Sequence, residues 1–141
     1  MINFLVVTHG EFGAYMVEAA ESIVGRQAAG VRAVAVSPRT GVAEIRERIR
    51  ESLDSLACGD GVIVFVDMPA GTPVNVSFPQ LKGRSGVEMV SGLNLYMLVS
   101  AFSHRGRLTL SQMLEKVLRD GQGSVCDVRK IFDALISRQG A

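Results

Sequence analysis

Two short polar segments sit directly after apolar runs and carry residue types that do chemistry together. Thr8-His9-Gly10 follows the run Ile2 to Val7, and Asp67-Met68-Pro69-Ala70-Gly71-Thr72-Pro73 follows the run Val62 to Val66. An imidazole is a nucleophile only through an unprotonated nitrogen, and a carboxylate that accepts the other ring N–H fixes which nitrogen is free. Asp67 beside His9 would leave one ring nitrogen pointing outward, toward a phosphoryl donor, and would stabilise positive charge developing on the ring. No serine or cysteine nucleophile accompanies the pair, so His9 is itself the candidate. The phosphoryl oxygens would need donors. Gly10 precedes a helix beginning near Phe12, and Thr72-Pro73 has the form of an N-cap followed by proline at the first helical position. Two helix amino ends converging on one spot would offer N–H groups to an anion. Gly71 permits close backbone approach, and the Thr72 hydroxyl is a further donor. A histidine after a strand and an aspartate ending one also occur as ordinary structural residues, and spacing alone leaves both readings open.

The elements that would bring these loops together are legible in the periodicity. Ile2 to Val7, Val31 to Val36 and Val62 to Val66 are β-branched and nearly continuously apolar, which predicts strands covered on both faces; Val87 to Val90 is a weaker fourth. Val42, Ile45, Ile49, Leu53 and Leu56 step by three and four, with Arg46, Glu47, Arg48, Arg50 and Glu51 on the other faces, which predicts an amphipathic helix with a solvated charged side. Phe12 to Val24 reads as a second helix, with Tyr15, Met16, Ala19, Ala20 and Ile23 inward and Gly25 closing it. Asn94 to Phe102 and Leu108 to Leu118 are two more. Ser124 to Val128 is either a late edge strand or the start of a helix running through Ile136.

Alternation of this kind predicts an α/β fold with a mainly parallel sheet and helices on both faces. Ligands of such sheets bind where the loops gather at the carboxyl ends of the strands. If the strand order reverses after the first unit, strands one and three are neighbours, and His9 faces Asp67 across the switch point.

Composition narrows the classes further. The chain has 141 residues, 48% hydrophobic and 21% charged, which suits one folded domain spanning residues 1–141. Fifteen basic against 14 acidic residues give no electrostatic case for nucleic acid. Cys58 and Cys126 cannot build a disulfide framework, and neither has a Cys or His at metal-ligand spacing, so they read as buried or idle thiols with no metal. No GxxxxGK(S/T) or GxGxxG motif is present to hold a nucleotide, and no cofactor is expected. The opening run is too short for a signal peptide, and Leu93 to Phe102 is too short to span a membrane, so the expected location is cytoplasmic. His104, in Ser103-His104-Arg105-Gly106, reads as a surface residue at a helix carboxyl end.

Taken together, these residues resemble the mannose-type enzyme IIA family of the phosphoenolpyruvate-dependent sugar phosphotransferase system. The resemblance is carried by the strand ending in Thr8-His9-Gly10, the strand entering Asp67, Gly71-Thr72-Pro73 with Asn75, and Val90-Ser91-Gly92-Leu93-Asn94-Leu95-Tyr96-Met97-Leu98. It implies a flavodoxin-like three-layer fold and a homodimer that exchanges an antiparallel edge strand. Ser124 to Val128 falls where that strand should be, with Val125 as a dimer contact. The resemblance also implies a phosphotransferase acting through a phosphohistidine. His9 would take a phosphoryl group from HPr through Nε2, with Asp67 as partner at Nδ1, and pass it to a IIB component for sugar uptake. Thr8, Gly10, Gly71 and Thr72 would line the phosphate site. Contact with the membrane would be indirect, through a IIC/IID permease. Two departures from the family pattern stand out. Ala70 and Pro69 occupy a loop that usually reads Asp-x-x-Gly-Gly-Ser/Thr-Pro, which Ala70 tolerates only with negative φ, and Tyr96 stands where proline is common.

Three rival readings remain beside this one. The first is a regulatory dimer that senses phosphorylation state and has no transport role. The second is the phosphotransferase subunit of a dihydroxyacetone kinase, with nothing after residue 141 to supply the extra domains such proteins often carry. The third, a response-regulator receiver with Asp67 as phosphoacceptor, predicts paired acidic residues after the first strand. Thr8-His9-Gly10 stands there instead, so that reading fails.

Overall fold

A strand that is apolar at every position needs cover on both faces, and this requirement sets the architecture. The computed structural model describes residues 1–140. Its four strands are β1 (Asn3–His9), β2 (Val31–Val36), β3 (Val62–Val66) and β4 (Val87–Val90), joined in one parallel sheet in the order β2-β1-β3-β4. The helices are α1 (Phe12–Val24), α2 (Val42–Leu56), α3 (Thr72–Ser77, continued by a 3₁₀ turn at Phe78–Leu81), α4 (Leu95–His104), α5 (Leu110–Gly123) and α6 (Val128–Gln139). This is the parallel α/β arrangement expected from the alternation, in the flavodoxin-like three-layer form that the family resemblance implied.

Successive side chains of the two central strands point to opposite faces, and each set finds its own helices. Phe4, Val6, Ile63 and Phe65 pack with Ala20 of α1, Met97, Leu98 and Phe102 of α4, and Met113 and Val117 of α5. Leu5, Val7, Val62, Val64 and Val66 pack with Ile45, Ile49, Leu53 and Leu56 of α2 and Val76 of α3. Truncating a fully buried residue such as Ile49 to alanine would cost about 2–5 kcal/mol. Side-chain caps fix the starts of α4 and α5: Asn94 accepts from Met97 N–H at 3.1 Å, and Thr109 and Gln112 form a reciprocal capping box.

Three expectations need correction. β2 is an edge strand, not one covered on both faces, and Arg32 and Ala33 are exposed on it. The inward face of α1 is Gly13, Met16, Val17, Ala20 and Val24, while Tyr15 and Ile23 are 66% and 60% exposed. The small residues decide this: a Cβ at Gly13 would lie 2.9 Å from Val6 Cγ1, so α1 meets β1 along its smallest side chains. Finally, among the described residues of the single chain Ser124 to Val128 forms no strand, and the sheet has four parallel strands. Ser124 ends α5, its hydroxyl donating to Gly121 O at 2.7 Å, and Asp127 caps α6 by accepting from Lys130 N–H at 3.1 Å. Val128, Ile131, Phe132 and Leu135 then recur at helical spacing, which a strand would scatter over both of its faces.

The amino-end rim of the sheet holds a residue that the sequence did not single out. Arg105 is buried and donates to Ile2 O (3.0 Å), Ala29 O (2.8 Å), Asn3 Oδ1 (2.9 Å) and Gln27 Oε1 (3.1 Å), with its guanidinium 5.5 Å from the centre of the Phe4 ring. Burial pulls its pKa below the ordinary arginine value. Cys58 and Cys126 are both exposed, and His104 is half-buried, its Nδ1 2.8 Å from Ser100 O at the end of α4. Among the described residues no helix is long and apolar enough to cross a membrane.

Candidate active site

The strand order places β1 beside β3, so the residues leaving their carboxyl ends meet. β1 continues two residues beyond the apolar run, and His9 pairs in register with Val36 of β2. The chain then turns away: Gly10 adopts φ +64° and donates its N–H to Val36 O at 2.8 Å. Beneath the turn, the buried Thr8 hydroxyl donates to Gly10 O (3.1 Å) and accepts from Gly13 N–H (3.2 Å), tying the loop to the start of α1. Thr8 therefore positions the loop from below and Gly10 spends its own N–H on β2.

Asp67 lies against His9 across the switch point. Its Oδ2 lies 2.7 Å from His9 Nδ1 and accepts the His9 backbone N–H at 2.9 Å, while Oδ1 accepts from Met68 N–H at 3.0 Å. Burial opposes the carboxylate charge, but the two His9 hydrogen bonds, attraction to the ring and a hydrogen bond from the backbone of Asp67 itself outweigh it and hold the carboxyl below its usual range. An ionised carboxylate only accepts, so Nδ1 carries the hydrogen and Nε2 has the free lone pair. The Asp67 side chain is 10% exposed and that of His9 47%, so the buried acid orients an accessible base.

Gly71 closes one side of the ring. It adopts φ +106°, ψ −177°, and a Cβ there would lie 3.3 Å from His9 Cε1 and 3.4 Å from Nε2. Only glycine combines that conformation with that proximity. Gly71 is the N-cap of α3, and Thr72 is its first residue, exposed and making no side-chain cap hydrogen bond. The N-cap thus falls one residue earlier than the Thr72-Pro73 pattern suggested. Ala70 avoids positive φ, as its side chain requires; among the described residues only glycines have positive φ.

A third loop completes the site and was missed in the sequence. His9 and Thr72 share a cleft of about 330 Å³ with Val36, Ser37, Pro38 and Thr40, which leave the carboxyl end of β2. The signal was available, because Ser37-Pro38-Arg39-Thr40 also follows a strand at the switch point. A larger hollow of about 600 Å³ lies at the amino ends of β3 and β4, but its charges are already paired, Asp60 with the amino terminus and Arg84 with Asp54. Among the described residues no group of three His, Cys, Asp or Glu side chains could hold a metal ion. The arrangement is that of an oriented imidazole nucleophile with a glycine-lined, hydroxyl-bearing approach.

Comparison with known proteins points the same way. The family described as PTS system fructose IIA component matches residues 3–118. Among solved structures, the PTS IIA protein associated with the fucose utilization operon of Streptococcus pneumoniae is similar with 26% identity and a TM-score of 0.82, covering 93% of this chain and 96% of that one. Phosphotransferase system component EIIA from Streptococcus agalactiae is 24% identical, TM-score 0.81, over 92% and 99% of the two chains. The mannose/sorbose-specific IIA subunit from Enterococcus faecalis is 20% identical, TM-score 0.76, over 89% and 92%. The latter two likenesses concern the fold alone. No curated protein matches the sequence.

Proposed function

From the premise that this chain belongs to the phosphotransferase-system IIA family of the fructose and mannose type, we propose that it carries a phosphoryl group on Nε2 of His9, accepting it from HPr and passing it to a IIB component during sugar uptake. The observation that carries this reading is the 2.7 Å contact between His9 Nδ1 and the largely buried Asp67 carboxylate, which in the neutral ring leaves the Nε2 lone pair at the surface. In transfer, the Nε2 lone pair forms a bond to phosphorus as the bond to the donor's atom breaks. The ring becomes cationic, and Asp67 stabilises that charge through the Nδ1 hydrogen bond. Transfer onward reverses the same steps. Gly71 leaves room for the phosphoryl oxygens beside Nε2, and the Thr72 hydroxyl donates to one of them; Thr8 and Gly10 hold the loop that carries His9.

The partners dock around the site. Phe12 and Met68 are 42% and 54% exposed near it, apolar residues whose exposure a protein partner explains. The protein works as a homodimer in the cytoplasm and meets the membrane only through a IIC/IID permease.

The test is intact mass after incubation with phosphoenolpyruvate, enzyme I and HPr. The expected result is a gain of one acid-labile phosphoryl group, absent in His9→Ala, whose circular dichroism stays that of the parent. Labelling that survives His9→Ala would refute the mechanism.

A further inference from the structure

The turn after β2 forms one wall of the cleft beside His9. Val36 pairs in register with His9, and Gly10 N–H donates to Val36 O at 2.8 Å, so the segment leaving β2 starts against the loop that carries the imidazole. That segment folds back at once. Thr40 N–H donates to Ser37 O at 3.1 Å, and Ser37 Oγ accepts from Arg39 N–H at 3.2 Å. The turn returns Thr40, half-buried, to the cleft of about 330 Å³ that also holds His9 and Thr72. We propose that Thr40 is a further phosphate-contacting residue: its hydroxyl donates to an oxygen of the phosphoryl group on His9 Nε2 from the β2 side, while Thr72 donates from the α3 side. The proposal rests on the phosphoryl-carrier reading of His9 and adds a donor to its anion site.

Three observations favour Thr40. First, its hydroxyl is uncommitted. Among the described residues it makes no hydrogen bond, whereas Ser37 Oγ is engaged in the turn and the Thr8 hydroxyl in the His9 loop. Second, the cleft suits an anion. No carboxylate lines it, and the Asp67 charge lies behind the ring, 2.7 Å from Nδ1. Third, the remaining lining is largely apolar. Val36 and Ile45 are buried and offer a phosphoryl oxygen no hydrogen. A phosphoryl group that gives up water for such a cleft needs its oxygens paired, since a charged acceptor left without a donor costs more than one hydrogen bond returns. Thr72 alone cannot serve three oxygens. Thr40 is the hydroxyl still free to donate across the cleft. Its contact forms only as phosphorus approaches Nε2, so it favours the transition state and the phosphohistidine over the unloaded protein.

The test compares two donors, phospho-HPr and phosphoramidate, by the rate at which intact mass gains one phosphoryl group that His9→Ala does not gain. Phosphoramidate needs no partner protein. The Nε2 lone pair bonds to phosphorus, the phosphorus–nitrogen bond of the donor breaks, and its electron pair leaves with ammonia. Thr40→Val keeps the β-branched shape and removes the hydroxyl. Loading should slow about three- to tenfold with either donor, the loss of one hydrogen bond, and Thr40→Ser should restore it to within about twofold of the parent. Circular dichroism should stay that of the parent in both variants. Rates equal to the parent with both donors would overturn the proposal. So would slowing with only one donor; with phospho-HPr alone, it assigns the turn to protein docking. Failure of Thr40→Ser to restore the rate overturns it as well, and makes Thr40 a packing residue. A parent that loads from phosphoramidate but not from phospho-HPr refutes the HPr-fed carrier reading and leaves Thr40 to be judged on the phosphoramidate rates. A parent whose His9 loads from neither donor refutes both.

Discussion

Replacing Asp67 with asparagine changes one atom and forces a choice that the site cannot make without loss. In the parent, Oδ2 accepts two hydrogens from His9 and Oδ1 accepts one from Met68, so both atoms must be acceptors. An asparagine that keeps its oxygen toward His9 turns its NH₂ on the Met68 N–H. Met68 is exposed and water takes up that bond. In this orientation the tautomer survives but the charge is lost. The opposite orientation aims NH₂ at Nδ1, which moves the ring hydrogen to Nε2 and blocks attack. A hydrogen bond to a charged partner is worth about 1.5–3 kcal/mol, so losing its charge as the ring becomes cationic slows transfer roughly ten- to two-hundredfold. Rapid-quench measurement of phosphoryl loading from HPr, at saturating donor, reads this directly. The same variant predicts a pH effect. Because the folded carboxyl lies below its usual range, Asp67 stabilises the parent above the ordinary carboxylate pKa and that contribution is lost as pH falls through the lowered value. Thermal midpoints should therefore fall more steeply below about pH 4 in the parent than in Asp67→Asn. A loading rate within a factor of two of the parent, or parallel pH profiles, would show that the carboxylate does not act on the ring.

Two further substitutions test positions where space or polarity is decisive. Gly71→Ala must adopt φ +106°, which costs about 1–3 kcal/mol, and places a methyl against the nucleophilic edge of His9; loading should slow with the midpoint lowered, and unchanged kinetics would mean that donors approach from elsewhere. Arg105→Met keeps the volume but strands the buried acceptors Ile2 O and Asn3 Oδ1, a loss of roughly 2–5 kcal/mol by urea titration, with loading unaffected in the fraction that stays folded.

Reading the chain one residue at a time recovered the parts governed by local periodicity. The strands β2, β3 and β4 and the helices α1 and α2 fall where hydrophobic spacing put them, because burial on one or both faces is written in which positions are apolar. His9 and Asp67 were legible too, since each follows a buried strand and parallel topology gathers such loops at one end of the sheet. The rest depends on neighbours. Which face of α1 turns inward was decided by the close approach of Gly13 to Val6, and an apolar count alone cannot see a glycine contact. The part played by Arg105 needed the amino-end rim to be assembled from Ile2, Asn3 and Ala29, residues about 75 to 103 positions away in sequence, whose carbonyl and amide oxygens had no other way to be identified as its partners. Val31 to Val36 looks the same in sequence whether it is central or at an edge, because only strand order assigns a second neighbour. Ser124 to Val128 was compatible with strand or helix until the Asp127 cap showed it to be the turn between α5 and α6, with helix resuming at Val128. Composition and spacing thus determined the elements and pointed to His9 and Asp67 as neighbours, while the tertiary structure decided which faces meet, which strand is last, and how the loops after β1, β2 and β3 close on one imidazole.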